Sequence, residues 1–262
     1  MGRLDGKVAW ITGAGSGIAR AAAGIFCAEG AKVIIAELNE QLGQAAADEV
    51  NTAGGDARFV STDVTDEASV EASIAEAIGA YGRLDVLYNC AGGSIAEDKA
   101  VTEVDLDAVW DFTMPLDLKG PMLGAKYGIP HLIEGGGGSV INMTSVAALR
   151  GNFAGHVYSA AKGGVIGLTR SLAGRYSRWN IRSNAIAPGL ILTDRVTGRM
   201  NIDAGAGYDE QYEAATGGQM KRYPFGVGAA ADIANVALFL ASDESRMVNG
   251  ATIPAEGGLS VY

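Results

Sequence analysis

The sequence predicts one α/β domain over residues 1–262, built on a doubly wound parallel sheet of about seven strands with helices on both faces. Short runs rich in valine and isoleucine alternate with longer helical stretches, as expected for parallel strands joined by crossover helices. The chain is 48% apolar and has no linker-like break, so its 262 residues can bury a single large core. A glycine-rich turn directly after the first strand further favours this fold class.

The predicted elements follow one another in a regular order. Strands are expected at Lys7–Ile11, Lys32–Ala36, Ala57–Ser61, Leu84–Tyr88, Ser139–Thr144, Ile181–Ala187 and Ala251–Pro254. Helices are expected at Arg20–Glu29, Asn39–Ala53, along the stripe Val70, Ile74, Ile78 and Tyr81, and at Asp105–Ile133, Tyr158–Ser177 and Ala230–Leu240.

Residues 190–225 mix glycine, charge and scattered apolar side chains. A segment of this length inside a compact domain is usually a lid or a binding segment. We therefore expect a substrate lid at about residues 190–225. Its candidates for lining a pocket are Met200, Tyr208, Tyr212 and Met220, and packing of the lid on itself is the alternative for each of them.

The glycine-rich turn reads Thr-Gly-Ala-Gly-Ser-Gly-Ile-Ala over Thr12–Ala19 and lies between a predicted strand and a predicted helix. Glycines let the backbone approach a pyrophosphate, and a helix N-terminus offers free N–H groups and a favourable dipole. In this context the motif predicts a Rossmann-type dinucleotide site.

The second strand ends on Glu37, twenty residues after Gly17. A carboxylate at this place can accept hydrogen bonds from both ribose hydroxyls of an adenosine and repels a 2′-phosphate. Neither Ser16 nor Leu38, where a phosphate-binding cation would be expected, is an arginine or a lysine. The sequence therefore favours NAD over NADP.

Tyr158 and Lys162 lie four residues apart in a predicted helix, so both project from one face. An ammonium beside a phenol favours the ionised phenol, which can exchange a proton with an alcohol or a ketone. Ser145 closes the preceding strand, thirteen residues before Tyr158, and its hydroxyl is expected at the same edge of the sheet. These three residues are candidates for catalysis.

Taken in order, these motifs resemble the short-chain dehydrogenase/reductase family over essentially the whole chain. Further matches are Asp63-Val64, Asn89-Cys90-Ala91-Gly92, Asn184 with Pro188-Gly189 and Thr193, and Glu256-Gly257-Gly258. The resemblance implies that Ser145, Tyr158 and Lys162 are catalytic. It implies cofactor contacts at Gly13, Ser16, Gly17, Ile18, Glu37, Asp63, Val64, Asn89, Ala91, Gly92, Tyr158, Lys162, Pro188, Gly189, Ile191 and Thr193.

The chain departs from the family pattern at a fourth catalytic position. Asp117 stands where the family has an asparagine that holds a water next to the lysine, largely through its backbone carbonyl. A carboxylate there adds a charge near Lys162, or it faces away and leaves the backbone role intact. Ala19 and Cys90 are milder departures, in the glycine turn and in the turn after the fourth strand.

The expected activity is transfer of a hydride between NAD and a secondary alcohol or ketone, with Tyr158 as the general acid/base. Ser145 is expected to bind the substrate oxygen, and Lys162 to stabilise the ionised Tyr158 and to bind the nicotinamide ribose. Two alternatives belong to other classes. An NAD-binding sensor or structural protein with little turnover would account for Asp117. A Rossmann methyltransferase would share the glycine turn but has no use for the tyrosine–lysine pair.

The net charge of −10 and the pI near 4.7 argue against nucleic acid and anionic membranes as partners. Cys27 and Cys90 suggest neither a disulfide framework nor a zinc site, and His131 and His156 are too far apart for a metal centre. His156 is expected at a solvated helix start, with pocket lining as the alternative.

No apolar run approaches the roughly 20 residues of a membrane span, so we expect a cytoplasmic protein. The resemblance further implies a homo-oligomer, a dimer or tetramer.

Overall fold

The computed structural model describes residues 2–151, 153–200 and 225–261. A seven-stranded parallel sheet has the spatial order β3-β2-β1-β4-β5-β6-β9, and β7 and β8 form a separate two-stranded pair. The strands are β1 (Val8–Thr12), β2 (Lys32–Glu37), β3 (Asp56–Ser61), β4 (Val86–Asn89), β5 (Gly138–Met143), β6 (Ile181–Pro188), β7 (Ile191–Leu192), β8 (Gly228–Ala229) and β9 (Thr252–Ala255).

Helices connect successive strands of the large sheet and cover both of its faces. They are α1 (Gly17–Ala28), α2 (Glu40–Thr52), α3 (Glu67–Tyr81), α4 (Leu106–Met114), α5 (Gly120–Glu134), α6 (His156–Tyr176), α7 (Asp194–Met200) and α8 (Ala230–Ala241). The architecture is the predicted doubly wound Rossmann fold, and the described parts form a single domain.

The predicted helix at Asp105–Ile133 is two helices, α4 and α5, joined by a π-helical segment at Pro115–Lys119. Proline lacks an N–H and cannot donate in a regular helical ladder, so a local change of helical pattern near Pro115 has a direct cause. The π-helical segment carries Asp117, whose side chain is fully buried.

Alternate residues of each central strand face two different hydrophobic clusters. Ile11 of β1 belongs to the cluster formed with α1 and α8, which includes Phe26. Its neighbour Trp10 faces the opposite cluster, formed with α3 and α5, and donates from Nε1 to Ser73 Oγ at 2.9 Å. The near-continuous apolar strands are thus explained by burial on both faces.

The strand order reverses direction between β1 and β4, because the chain builds outward to β3 on one side and to β9 on the other. At such a switch point the loops after the two central strands diverge and leave a crevice at their carboxyl ends. In the described part of the chain, no helix has the length and apolar character needed to cross a bilayer.

Candidate active site

A cavity of about 1210 Å³ opens at the carboxyl edge of the sheet. This volume exceeds the roughly 300–1,000 Å³ of ordinary small-ligand pockets, so the cavity has room for a dinucleotide together with a substrate. Most of the predicted site residues line it: Gly13, Ser16, Gly17, Ile18, Glu37, Asp63, Val64, Ala91, Gly92, Ser145, Tyr158, Lys162, Pro188, Gly189, Ile191 and Thr193.

The glycine turn packs closely against the turn that follows β4. Gly13 has φ +68°, and a Cβ built on it would lie 3.0 Å from the Cα of Ala91. The hydroxyl of Thr12 accepts hydrogen bonds from the backbone N–H groups of Cys90 and Ala91, each at 3.0 Å. A side chain at position 13 would therefore separate two turns that together form the floor of the cavity.

Glu37 is held at the end of β2 by two backbone N–H groups. Its Oε2 accepts from Gly15 at 3.1 Å and its Oε1 from Asn39 at 2.9 Å. The side chain is half-buried and lines the cavity. A carboxylate is thus fixed beside the glycine turn, as the sequence predicts.

Asp63 and Val64 line the same side of the cavity after β3. The Oδ1 of Asp63 accepts from the backbone N–H of Thr65 at 2.8 Å and from the Thr65 hydroxyl at 2.7 Å, which fixes the turn. A Cβ built on Gly120 would lie 3.3 Å from Val64, so the start of α5 supports this turn from below.

The first turn of α6 is fixed by a carboxylate from a distant loop. Gly155 occupies the N-cap position and has no side chain with which to cap the helix. Asp98, only 6% exposed, takes over this role: Oδ2 accepts from Tyr158 N at 2.7 Å and Oδ1 from Val157 N at 3.2 Å. Sequence reasoning missed Asp98, although a predicted helix start without a capping side chain is a signal that another segment must supply one.

Tyr158 and Lys162 lie on one face of α6, as their spacing predicts. The Nζ of Lys162 lies 5.6 Å from the centroid of the Tyr158 ring, and Phe153 packs on the same ring at 5.8 Å between centroids. Tyr158 is half-buried at the cavity wall, whereas Lys162 is only 3% exposed. The Nζ of Lys162 also donates to the backbone carbonyl of Met143 at 3.0 Å, which ties the lysine to the end of β5.

Asp117 faces Lys162 directly. The Asp117 Oδ1 lies 2.9 Å from the Lys162 Nζ and also accepts from the backbone N–H of Gly93 at 2.9 Å. The Asp117 Oδ2 is buried and has no hydrogen-bond partner among the described residues. Burial by itself lowers the pKa of Lys162, but the charge interactions with Asp117 and Tyr158 outweigh it, so the pKa of the ammonium lies above its usual value.

Ser145 lies directly after β5 with extended backbone and is half-buried in the cavity wall. Its Oγ accepts from the backbone N–H of Ala147 at 3.1 Å, so the hydroxyl proton can be donated elsewhere. Cys90 also lines the cavity, and burial raises the pKa of its thiol to about 11, so the thiol stays protonated near neutral pH. Because an S–H group is a weak hydrogen-bond donor, the hydroxyl of Ser145 is better suited than this thiol to contact a substrate oxygen.

Three predicted positions do not line the cavity: Asp117, described above, and Asn89 and His156. Asn89 is 3% exposed and donates to Asn142 Oδ1 at 2.8 Å, while a Cβ on Gly124 would overlap its Oδ1. Side chains alternate along a strand, and the side chain of Asn89 points toward α5 instead of the cavity, so a contact between Asn89 and the cofactor stays a prediction. His156 is exposed and accepts through Nδ1 from the backbone N–H of Val101 at 3.0 Å. It marks the helix start, and the pocket-lining alternative is not supported.

The part of the predicted lid that the structure describes contributes Leu190, Ile191, Thr193, Arg195 and Val196 to the cavity. Met200 ends α7, but its side chain lies outside the described part of the chain, as do Tyr208, Tyr212 and Met220.

Comparison with known proteins identifies the family of this chain. The family model described as enoyl-(acyl carrier protein) reductase matches residues 13–260. The 2,5-dichloro-2,5-cyclohexadiene-1,4-diol dehydrogenase of Sphingobium indicum is 37% identical over 260 residues, which cover 99% of this chain and 98% of that protein. Levodione reductase of Leifsonia aquatica is 38% identical over 261 residues, with 98% and 96% coverage. The crystal structure of a short-chain dehydrogenase/reductase from Burkholderia xenovorans superimposes with a TM-score of 0.91 at 36% identity and covers 100% of this chain and 99% of its own.

The family match and the relatives place the chain among oxidoreductases that act on a CH–OH or carbonyl group of a small molecule with a nicotinamide cofactor. The chain belongs to the short-chain dehydrogenase/reductase family.

Proposed function

We propose that this protein is an NAD-dependent dehydrogenase/reductase that interconverts a secondary alcohol and a ketone, with Tyr158 as the general acid/base. The observation that carries the proposal is the shared cavity: Ser145, Tyr158 and Lys162 line one part of it, and Glu37 lies beside the glycine turn that also lines it. Proton exchange and dinucleotide binding can therefore take place at one continuous site.

The residues fit a dinucleotide. Gly13 and Gly17 have φ of +68° and +55°, and a Cβ at either would crowd Ala91 or Thr193, so glycine keeps this part of the cavity open. Glu37 is held by two N–H groups and supports a choice of NAD, because a 2′-phosphate beside a fixed carboxylate would be repelled. When bound, the nicotinamide supplies the hydride acceptor or donor, and the chain supplies binding and proton transfer.

In the proposed oxidation, Tyr158 removes the hydroxyl proton of the alcohol while Ser145 donates a hydrogen bond to the same substrate oxygen. Lys162 is held below the phenol by Met143 and Asp117, and its positive charge stabilises the negative charge on Tyr158. In the reverse direction Tyr158 returns the proton to the oxygen of the ketone. Each of these roles belongs to a side chain whose position is fixed by the contacts described above.

The names of the two relatives suggest the first substrates to examine. One acts on a chlorinated cyclohexadiene diol and the other on levodione, so we propose cyclic secondary alcohols and cyclic ketones as the substrate class with which to begin. Phe153 supports this choice, because its ring lines the cavity beside Tyr158 and offers an apolar wall to a ring.

The test is an assay of the purified protein with NAD or NADP over a panel of secondary alcohols and ketones, followed by the absorbance of the reduced cofactor. We expect turnover with NAD to exceed turnover with NADP. Tyr158→Phe should lower kcat by about 10²–10⁴-fold, the usual range for a lost acid/base, while NAD affinity stays within a few-fold.

Tyr127→Phe is the matched control, because the Tyr127 hydroxyl bonds Glu67 and lies outside the cavity. Equal use of NAD and NADP would remove the role proposed for Glu37. Tight NAD binding with no turnover of any alcohol or ketone would favour the alternative function of a nucleotide-binding sensor.

A further inference from the structure

Arg195, in the first turn of α7, reaches across the cavity to the turn after β4. Its Nη1 donates to the backbone carbonyl of Gly92 at 3.0 Å. A Cβ built on Gly93, which has φ +138°, would overlap the guanidinium. The guanidinium therefore lies directly against the Gly92–Gly93 backbone, in space that any larger residue at position 93 would occupy.

The residues on either side of the Arg195–Gly92 contact both pack against the glycine turn. On the side of α7, the Cγ2 atom of Thr193, two residues before Arg195, would lie 3.2 Å from a Cβ built on Gly17. On the side of the turn after β4, the Cα of Ala91, the residue before Gly92, would lie 3.0 Å from a Cβ built on Gly13. Arg195 thus links two walls that both pack against the turn leading into α1.

Glu37 and Asp117 also lie near this place, but both accept from backbone N–H groups and Asp117 pairs with Lys162, whereas two other groups here favour an anion. Among the described residues Arg195 forms no ion pair, whereas three arginines outside the cavity pair with carboxylates. Its described contacts use one of the five N–H donors of a guanidinium. The first turn of α1 carries no acidic side chain, and the hydroxyl of Ser16 does not cap it. The same cavity is thus faced by a cation that pairs with no carboxylate of the described residues and by a helix N-terminus that the side chain of Ser16 does not cap. Both favour an anion, in a protein whose net charge is −10.

We propose that Arg195 binds the diphosphate of the dinucleotide, in addition to the backbone N–H groups of the glycine turn. This inference rests on the proposed function, in which the cavity binds NAD. A guanidinium suits the role, because its planar set of donors matches the oxygens of a phosphate group. The anchor on Gly92 also orients the guanidinium in advance, so that less side-chain entropy is lost on binding.

The test compares ligands with and without the diphosphate by isothermal titration calorimetry. In Arg195→Met we expect the affinity for NAD and for ADP-ribose to fall roughly 10- to 100-fold, the range for a lost charge-assisted hydrogen bond. The affinity for adenosine should be unchanged, and Arg195→Lys should recover part of the loss. Binding of ADP-ribose should also weaken less with added salt in Arg195→Met than in the wild type.

Arg150→Met is the matched control, because Arg150 also lines the cavity but donates to the carbonyl of Leu259 at the far end of the chain. It removes the same charge, and NAD affinity should stay within a few-fold. Thermal unfolding of each variant checks that the fold is retained.

If the wild type binds neither NAD nor ADP-ribose, the proposed function itself fails. If the wild type binds both and Arg195→Met binds them equally well, or loses adenosine to the same extent, the role of Arg195 is refuted. A rise in KM for the alcohol alone would refute it in favour of a substrate contact.

Discussion

At the level of single residues, Asp117 changes the charge balance beneath the proposed acid/base. The carboxylate lies 2.9 Å from Lys162 in a pocket that excludes solvent, with exposures of 0% and 3% for the two side chains. Of the two alternatives open from the sequence, the structure favours a direct charge contact over a backbone role alone. Asp117 partly neutralises the ammonium that stabilises negative charge on Tyr158.

We predict that Asp117→Asn moves the pH–rate profile of alcohol oxidation to lower pH. Without the carboxylate, Lys162 attracts the negative charge forming on Tyr158 more strongly, which favours removal of the proton from the alcohol. At the alkaline end, Asp117 raises the pKa of Lys162 and burial lowers it. The variant should therefore lose the ammonium, and with it activity, at lower pH than the wild type.

The measurement is kcat/KM as a function of pH, together with NAD affinity, which should not change. Asp111→Asn is the control, because Asp111 lines the cavity but forms no ion pair with Lys162 among the described contacts. Superimposable profiles for the wild type and Asp117→Asn would contradict charge coupling and leave only the backbone role.

At the level of elements, α6 presents both Tyr158 and Lys162, and its start depends on a residue from another segment. Asp98 caps this helix through two hydrogen bonds to the N–H groups of Val157 and Tyr158. The carboxylate also interacts favourably with the positive end of the helix dipole. A Cβ on Gly155 would lie 2.8 Å from Asp98, so the missing side chain at the N-cap makes room for the cap from outside.

We predict that Asp98→Ala lowers stability by about 1 kcal/mol, as for other lost helix caps, and lowers kcat more than it changes KM for NAD. The first turn of α6 carries Tyr158, so fraying there displaces the hydroxyl without touching the glycine turn. Thermal unfolding and steady-state kinetics measure the two effects.

Asp66→Ala provides the comparison, since Asp66 caps α3 through the N–H of Ala68, outside the cavity. A similar loss of stability with unchanged kcat is expected there. Equal effects of the two substitutions on kcat would show that Asp98 acts only through global stability.

At the level of the whole molecule, large apolar side chains remain exposed on α4 and α5. Leu106 and Trp110, four residues apart on one face of α4, are 49% and 46% exposed, and Met122 of α5 is 44% exposed. Exposed apolar patches often mark a protein interface, and Leu106 and Trp110 share one helix face. They support the homo-oligomer expected from the family resemblance.

We predict that the protein sediments as a dimer or tetramer and that Trp110→Glu shifts it toward the monomer, because a charge buried in an interface without a partner is costly. Ala75→Glu, at an exposed position of α3, adds the same charge elsewhere and should leave the assembly intact. Analytical ultracentrifugation over a range of concentrations measures both. A monomeric wild type would rule out the predicted assembly.

Much of the fold and of the site follows from the sequence, because the signals are local. The glycine turn at Thr12–Ala19, the carboxylate of Glu37 and the spacing of Tyr158 and Lys162 each lie within one strand–turn–helix unit or one helix. A parallel sheet brings the carboxyl ends of its strands to one edge, so the expectation that these motifs share a cavity required only the order of the elements.

The tertiary structure decided which side chains reach that cavity and which support it from outside. Asn89 has the right place in the chain but projects toward α5, because side chains of a strand alternate between faces. Asp98 and Arg195 reach α6 and Gly92 from segments distant in sequence, and no local pattern tells which residue makes such a contact. The contact of Asp117 with Lys162 depends in the same way on a π-helical segment that packs against α6. Sequence spacing determines what one element presents, whereas contacts between elements depend on how their faces pack.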